Sequence, residues 1–193
     1  MYAVFRVVKL LSREEALNIL SRNIKRKNIF NHSLAVEAIM RSLAKYLGEN
    51  VEIWGLAGLL HDIDFEETES NPSQHGLIAE KILGDNVSSE IIRAIKAHNF
   101  ENTNINPETK MEKALIAADA ISGLLVACAL VMPSKKLAEV KVETVAKKFK
   151  QKDFARNVKR DRILLCEEIG IPKEKFFEIC LEGLKRIGEE IGL

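Results

Sequence analysis

Histidine and aspartate residues give this chain its clearest capacity for chemistry. His32 stands alone, His61 is followed directly by Asp62, and Asp119 lies inside the apolar run of residues 114–132. Imidazoles combined with carboxylates suit a borderline divalent ion such as Fe, Mn, Ni, Co or Zn. A carboxylate inside a buried apolar helix needs a compensating charge, which a bound ion would supply. The pattern therefore predicts a metal site built from these four residues.

Taken alone, two of these four residues could also have roles other than metal binding. His32 alone could be a helix cap or a hydrogen-bonded surface residue. Asp119 alone could form an ion pair with Lys113 or Arg93. The joint pattern favours the metal site, because chance does not readily produce a histidine, a His-Asp doublet after an apolar helix and an aspartate in a later apolar helix.

The remaining histidines and the His-Asp doublet share a position at predicted helix ends. Neighbouring residues on a regular helix point about 100° apart, so His61 and Asp62 can share one ion only where their helix ends or bends. The Asp-Phe-Glu-Glu sequence of residues 64–67 indicates such an end. His75 lies early in one predicted helix and His98 at the end of another. An imidazole at a helix end can project into a cleft, where backbone groups are free to support it.

Helix start and stop signals are frequent along the chain, whereas period-two alternation is limited to residues 2–8. Ser12 and Glu15 form a capping-box pattern, and the Asn-Pro pairs at 71–72 and 106–107 are typical of helix starts. The predicted helices cover residues 12–27, 31–46, 51–61, 71–84, 88–98, 106–133, 140–150, 160–169 and 173–191. The sequence therefore predicts an all-α fold. We expect a single domain over residues 1–193, with a compact helical bundle over about 28–132 and a C-terminal helical extension over about 134–193.

Composition and charge indicate which kinds of binding partner and which cellular location to expect for this protein. Hydrophobic residues make up 47% of the chain and charged residues 30%, which indicates a folded globular protein. The net charge of +1 argues against a nucleic-acid partner. The apolar run of residues 114–132 is interpreted as a core helix and not a membrane span, because it carries an aspartate. Three cysteines without CxxC spacing, and no signal-peptide pattern, favour a cytoplasmic protein. A homo-oligomer is left open.

The residues His32, Leu59-Leu60-His61-Asp62-Ile63-Asp64 and Ala118-Asp119 resemble the H…HD…D signature of the HD-domain metal-dependent phosphohydrolase superfamily. The resemblance covers about residues 28–130 and is closest to the group that reads HDIG or a variant. It implies a helical bundle that binds one or two divalent ions and hydrolyses phosphate esters, often of nucleotides. It also implies that His32, His61, Asp62 and Asp119 hold the first ion.

The same resemblance raises the question of a second ion. In the two-metal branch of the superfamily, two further histidines follow the doublet, and the doublet aspartate bridges the ions. By resemblance, His75 and His98 would hold the second ion and Asp62 would be the bridge. Two alternatives stay open. His75 could be an exposed surface residue, or one ion could bind while His75 or His98 contacts the substrate.

The resemblance is incomplete at one position that bears on substrate binding. Asp64 stands where related sequences often have glycine followed by lysine, so a phosphate-binding lysine is missing there. Asp64 could orient a ligand, act as a base, or only end its helix, and it is a candidate catalytic residue together with Asp62. Lys96, one turn before His98, is the candidate cation for catalysis and phosphate binding.

A basic stretch over residues 147–162 supplies further candidate cations. It holds eight basic and two acidic residues, and within it Arg156 or Arg160 could close over the cleft and bind the substrate. A phosphate needs such cations, because charge accumulates on its oxygens in the transition state.

Metal chemistry of this kind points to hydrolysis. A bound divalent ion lowers the pKa of water from about 15.7 towards 7. Together with this chemistry, the resemblance implies a metal-dependent phosphohydrolase that cleaves a phosphate ester or anhydride of a small phosphorylated metabolite, with a nucleotide favoured. A di-iron oxygenase on the same six ligands and a non-catalytic metal-binding sensor module are the alternatives.

Overall fold

The computed structural model describes residues 11–193, and these residues form helices and turns without a strand. The α-helices are α1 (Arg13–Asn23), α2 (Lys27–Leu47), α3 (Val51–Leu60), α4 (Phe65–Thr68), α5 (Leu77–Leu83), α6 (Ser89–His98), α7 (Phe100–Thr103), α8 (Lys110–Leu130), α9 (Val142–Lys150), α10 (Arg160–Glu168) and α11 (Lys173–Lys185). Short 3-10 helices cover Pro72–Gln74, Gly84–Asn86 and Leu137–Glu139. The predicted all-α class is confirmed. The alternating residues 2–8 lie outside the described residues.

The turn between the first two helices lies earlier in the chain than the sequence predicted, at residues 24–26. The predicted capping box at Ser12 and Glu15 is present and starts α1. The second helix begins at Lys27, four residues before the predicted Asn31, so His32 lies in its second turn. The Glu66 carboxylate accepts hydrogen bonds from two backbone N–H groups in the turn, at 2.9 and 2.7 Å. This long-range capping lets α2 start earlier than local signals indicate.

Close contact between α2 and α3 forms the centre of the core. A Cβ atom at Gly58 of α3 would lie 2.9 Å from the Val36 carbonyl oxygen on α2, so only glycine allows this approach. Asn50 caps α3 by accepting hydrogen bonds from the Glu52 and Ile53 N–H groups. Helix α8 completes this core by packing against both α2 and α6. Packing of α2, α3, α6 and α8 therefore fixes the elements that carry five of the six predicted metal ligands.

Two of the predicted helices have different starts in the structure. The predicted helix over 71–84 is interrupted at His75, which has an extended backbone, and at Gly76, which has φ +85°. A Cβ atom at Gly76 would lie 3.0 Å from the Ile95 carbonyl oxygen. Glycine therefore permits a turn where the sequence predicted continuous helix. The predicted start at 106–107 was also wrong, because Thr109 and Glu112 form the capping box that begins α8.

The C-terminal helices pack back onto the bundle. Helix α10 contacts α8, and α11 contacts α2 and α9. A Cβ atom at Gly183 of α11 would lie 2.5 Å from the Ser42 hydroxyl oxygen, which shows how closely α11 approaches α2. The helix predicted to reach residue 191 ends at Lys185, and turns follow.

Helix α8 is the one helix within residues 11–193 that is long and apolar enough to cross a bilayer by length and composition. In the fold, 61% of its most apolar window is buried. That burial is typical of a core helix. All three cysteines are free and buried.

Candidate metal centre

Four of the predicted ligands converge on one point. Nε2 of His32 lies 3.1 Å from Oδ1 of Asp119 and 3.6 Å from Oδ2 of Asp62. Nε2 of His61 lies 3.2 Å from Nε2 of His32 and 3.4 Å from the same Asp62 oxygen. The ligand atoms of His32, His61 and Asp62 therefore lie close enough together to hold a divalent ion, and Asp119 lies beside them against His32.

A second group of ligand atoms surrounds the other oxygen of Asp62. Nε2 of His75 lies 3.2 Å from Oδ1 of Asp62, and Nε2 of His98 lies 3.5 Å from it. The two imidazole nitrogens are 2.9 Å apart. Asp62 thus presents one oxygen to each group, which is the arrangement that a carboxylate bridging two ions requires. His75 does not lie on the exposed surface, because its side chain is 14% exposed.

Backbone carbonyls hold two of the histidines in the orientation that metal binding needs. Nδ1 of His61 donates to the Gly58 carbonyl at 2.8 Å, and Nδ1 of His98 donates to the Ile95 carbonyl. Each bond spans three residues at the end of a helix. With the proton fixed on Nδ1, the lone pair of Nε2 points into the cluster, as in the supporting shell of a metal site.

Side chains hold the other two histidines in the same way. The Ser122 hydroxyl donates to the Asp119 carbonyl at 2.8 Å, so its oxygen accepts from Nδ1 of His32 at 3.2 Å. Nδ1 of His75 donates to Oδ1 of Asp64 at 2.9 Å. In all four histidines, therefore, the nitrogen that faces away from the cluster has a partner.

The contacts of Asp64 fit the predicted ligand-orienting role better than the predicted role as a base. The residue is buried, and its second oxygen accepts hydrogen bonds from the backbone N–H groups of Gly76 and Ala79, at 2.8 and 2.9 Å. Both oxygens are thus engaged, one of them with His75. Asp64 positions His75 and the turn behind it, and it has no free oxygen to act as a base towards a substrate.

Opposite charges within the cluster offset the effect of burial on the pKa values. Burial alone would raise the pKa of Asp62, but His61 and the other histidines around it hold that pKa well below its usual range. Burial lowers the pKa of His75, yet Asp62 and Asp64 together raise it to about 10. The pKa of His98 is lowered, mainly by burial. The Asp62 carboxylate is therefore ionised and available as a ligand.

Asp119 does not form the alternative ion pairs that the sequence allowed. Arg93 pairs with Glu108 and Glu112, and Lys113 pairs with Glu168 at 2.8 Å. Asp119 instead faces the histidines, and His32 contributes to lowering its pKa against the effect of burial.

A cavity of about 320 Å³ opens over the cluster. It is lined by Ile29, His32, Asp62, Phe65, His75, His98, Asn99, Asp119 and Arg162. Asn99 was not predicted. Its amide nitrogen donates to the Pro72 and His75 carbonyls, both at 3.0 Å, and so fastens the segment that carries His75. Its position directly after His98 was the only signal in the sequence.

None of the three cations predicted to bind the substrate lines this cavity. Lys96 forms an ion pair with Glu80 at 2.5 Å. Arg160 donates to backbone carbonyls of residues 149–158 and so ties that turn together. Arg156 is exposed on the same turn. Arg162, from the same basic stretch, lines the cavity, whereas these three residues do not, and their substrate-binding roles stay predictions.

Comparison with known proteins identifies the helical bundle. The family model for the HD domain matches residues 29–124, which contain all six clustered residues. Ribonuclease Y of Chloroflexus aurantiacus is 38% identical over 100 residues, which are 50% of this chain and 19% of that protein. Ribonuclease Y of Thermosipho melanesiensis is 31% identical over 167 residues, which are 81% of this chain and 29% of that protein.

The match covers only a part of each relative's length. The chain spans less than a third of the length of both curated relatives. No solved structure matches the chain. The family model and the convergence of its signature residues agree with each other, and they agree with the resemblance carried by the motif. Residues 29–124 therefore form an HD domain, and through this domain the chain belongs to the HD-domain superfamily.

Proposed function

We propose that this chain is a metal-dependent phosphohydrolase that cleaves a phosphoric ester bond of a nucleotide or polynucleotide. The observation that carries the proposal is the division of Asp62 between two groups of histidine nitrogens. A pair of ions held by one carboxylate is a recurrent arrangement in phosphoester hydrolysis. HD-domain membership and relatives named Ribonuclease Y support the same reaction class.

The residues present fit divalent ions. Four imidazoles and two carboxylates form a donor set suited to Fe, Mn, Ni, Co or Zn. Binding would replace the second ring proton that the raised pKa of His75 retains in the metal-free chain. His32, His61, Asp62 and Asp119 would hold one ion, while Asp62, His75 and His98 would hold the other. Such ions would supply a nucleophilic water at neutral pH and positive charge beside the phosphate. The second group offers fewer protein ligands than the first, which leaves more room for a substrate oxygen.

We place an RNA phosphodiester first among the substrates. The names of the relatives support this choice, and they stand in tension with the expectation, drawn from the net charge, that nucleic acid is not a partner. The second candidate is the small nucleotide expected from the sequence. The cavity of about 320 Å³ favours it, because small-molecule pockets begin near about 300 Å³.

The test uses the full chain freed of metal and then reloaded with Mn, Fe, Ni, Co, Zn or Mg. A labelled single-stranded RNA and a panel of nucleotides are incubated with each form. We expect metal-dependent cleavage that a chelator abolishes, and that His61→Ala and Asp62→Asn remove. Asp153→Asn, at an exposed position, is the matched control and keeps full activity.

Two results would contradict the proposal. Oxygen-dependent turnover with two bound irons, and no phosphoester cleavage, would favour the di-iron oxygenase. A chain that binds metal tightly but turns over no substrate in either assay would favour a metal-binding sensor module.

We further propose a cytoplasmic location. The three free and buried cysteines support it, since a reducing compartment keeps thiols unpaired. Fractionation of cells that express the native gene tests it. Recovery of the protein in the soluble cytoplasmic fraction is the expected result, and recovery with membranes would contradict the proposal.

A further inference from the structure

Arg162 is a residue of the C-terminal helical extension that lies at the metal-ligand cavity. It belongs to α10, whereas the other residues that line the cavity come from the HD domain. Helix α10 reaches this position by packing against α8, the helix that carries Asp119. The extension is thus part of the wall of the site. This supports treating the core and the extension as one unit.

The surroundings of Arg162 hold its guanidinium group in place without using all of its donors. Nη2 lies 3.2 Å from a carboxylate oxygen of Glu101, and the guanidinium carbon lies 5.5 Å from the centre of the Phe100 ring. Nε is buried and has no hydrogen-bond partner among the described residues. A buried donor without a partner is costly. An incoming acceptor would therefore be bound favourably here.

Charge at the cavity also favours an anion beside Arg162. Among the residues of the described chain that line the cavity, Arg162 is the one with a permanent positive charge. The predicted cations point elsewhere, as the contacts of Lys96 and Arg160 show. An arginine fork matches two oxygens of one phosphate group.

We propose that Arg162 binds the non-bridging oxygens of the substrate phosphate, so that the C-terminal extension completes the active site. This inference rests on the proposed phosphohydrolase function. The contact between Arg162 and Glu101 is reversible, because Glu101 also pairs with Lys159 at 2.6 Å. When Arg162 turns towards a phosphate, Glu101 keeps a cationic partner.

Equilibrium binding of inorganic phosphate to the metal-loaded full chain tests the proposal without turnover. Calorimetric titration compares the wild type with Arg162→Ala, Arg162→Lys and Arg156→Ala. We expect Arg162→Ala to weaken phosphate binding about tenfold or more, as loss of a charged hydrogen-bond donor does. Arg162→Lys should recover part of the affinity, because lysine keeps the charge but loses the fork. The Arg156→Ala control removes an exposed arginine from the same segment and should change binding less than about twofold.

Two further measurements separate a direct contact from a structural role. Metal stoichiometry and the melting temperature of Arg162→Ala should match those of the wild type. With a cleavable substrate, the same variant should raise KM or lower kcat/KM by about the factor found for phosphate.

Unchanged phosphate affinity in Arg162→Ala would overturn the proposal, and so would equal losses in Arg162→Ala and Arg156→Ala. Loss of metal from Arg162→Ala would also overturn it, by assigning Arg162 a structural role. If the wild type binds phosphate through Arg162 but cleaves no phosphoester, the proposed function fails while the binding site stands.

Discussion

The substitution Asp64→Asn tests how Asp64 supports the ligand group of Asp62, His75 and His98. In the wild type, one oxygen accepts from Nδ1 of His75 at 2.9 Å, and the other accepts from the Gly76 and Ala79 N–H groups. Asparagine has one oxygen and one NH2 group. If its oxygen stays with the backbone, the NH2 group faces His75 and donates to Nδ1. The proton of the ring must then sit on Nε2, which can no longer bind an ion.

The size of the effect follows from these contacts. Loss of a partner that orients a metal-binding histidine lowers affinity about 10- to 100-fold, or about 1.4 to 2.8 kcal/mol. Only the group of Asp62, His75 and His98 should lose this affinity. The metal-free variant should also unfold more easily by about 1 to 3 kcal/mol, because a neutral amide oxygen replaces a charged acceptor of two backbone N–H groups.

Calorimetric titration with Mn²⁺ measures both binding events, and chemical denaturation of the metal-free chain measures stability. The wild type should bind two ions, whereas Asp64→Asn should bind one ion at nearly wild-type affinity and the other far more weakly. Asp153→Asn, the same change at an exposed site, should behave as the wild type. Two ions bound at wild-type affinity, or equal weakening of both, would refute the assigned role of Asp64.

Three further changes probe other parts of the structure. His98→Ala removes a ligand from one group only, so metal analysis of the purified variant should find one ion per chain in place of two, and a count of two would contradict the grouping. Gly58→Ala places a methyl group 2.9 Å from the Val36 carbonyl, and denaturant melts should show a loss of about 1 to 3 kcal/mol; an unchanged midpoint would show that α2 and α3 can move apart freely. Arg160→Ala removes a donor to several carbonyls of residues 149–158 and should cost about 2 kcal/mol of unfolding free energy. Its KM should equal that of the wild type, and a tenfold rise would restore Arg160 as a substrate-binding residue.

The part of the site that the sequence predicted best depends on local patterns. The His61-Asp62 doublet follows a strongly apolar helix, and Asp119 interrupts an apolar run, so both were recognisable as polar positions next to the core. Local patterns also located most helices to within a few residues. They failed where distant residues decide the outcome, as where Glu66 caps the turn before α2.

The cations were predicted less well, because their direction depends on tertiary contacts. Lys96 lies one turn before His98, but its ammonium group is drawn to Glu80 on α5. Arg160 and Arg162 are two residues apart in α10. The Arg160 side chain donates to carbonyls of the preceding turn, whereas the Arg162 side chain lines the cavity. Their difference follows from the packing of α10 on α8, which no local pattern encodes.

We propose that Asp62 joins two ion sites. Crystals of the full chain grown with Mn²⁺ and measured at the manganese absorption edge test it most directly. We expect two anomalous peaks, one beside His32, His61 and Asp119 and one beside His75 and His98, with a different oxygen of Asp62 facing each. A single peak with His75 and His98 free of metal, or two peaks away from Asp62, would contradict the account.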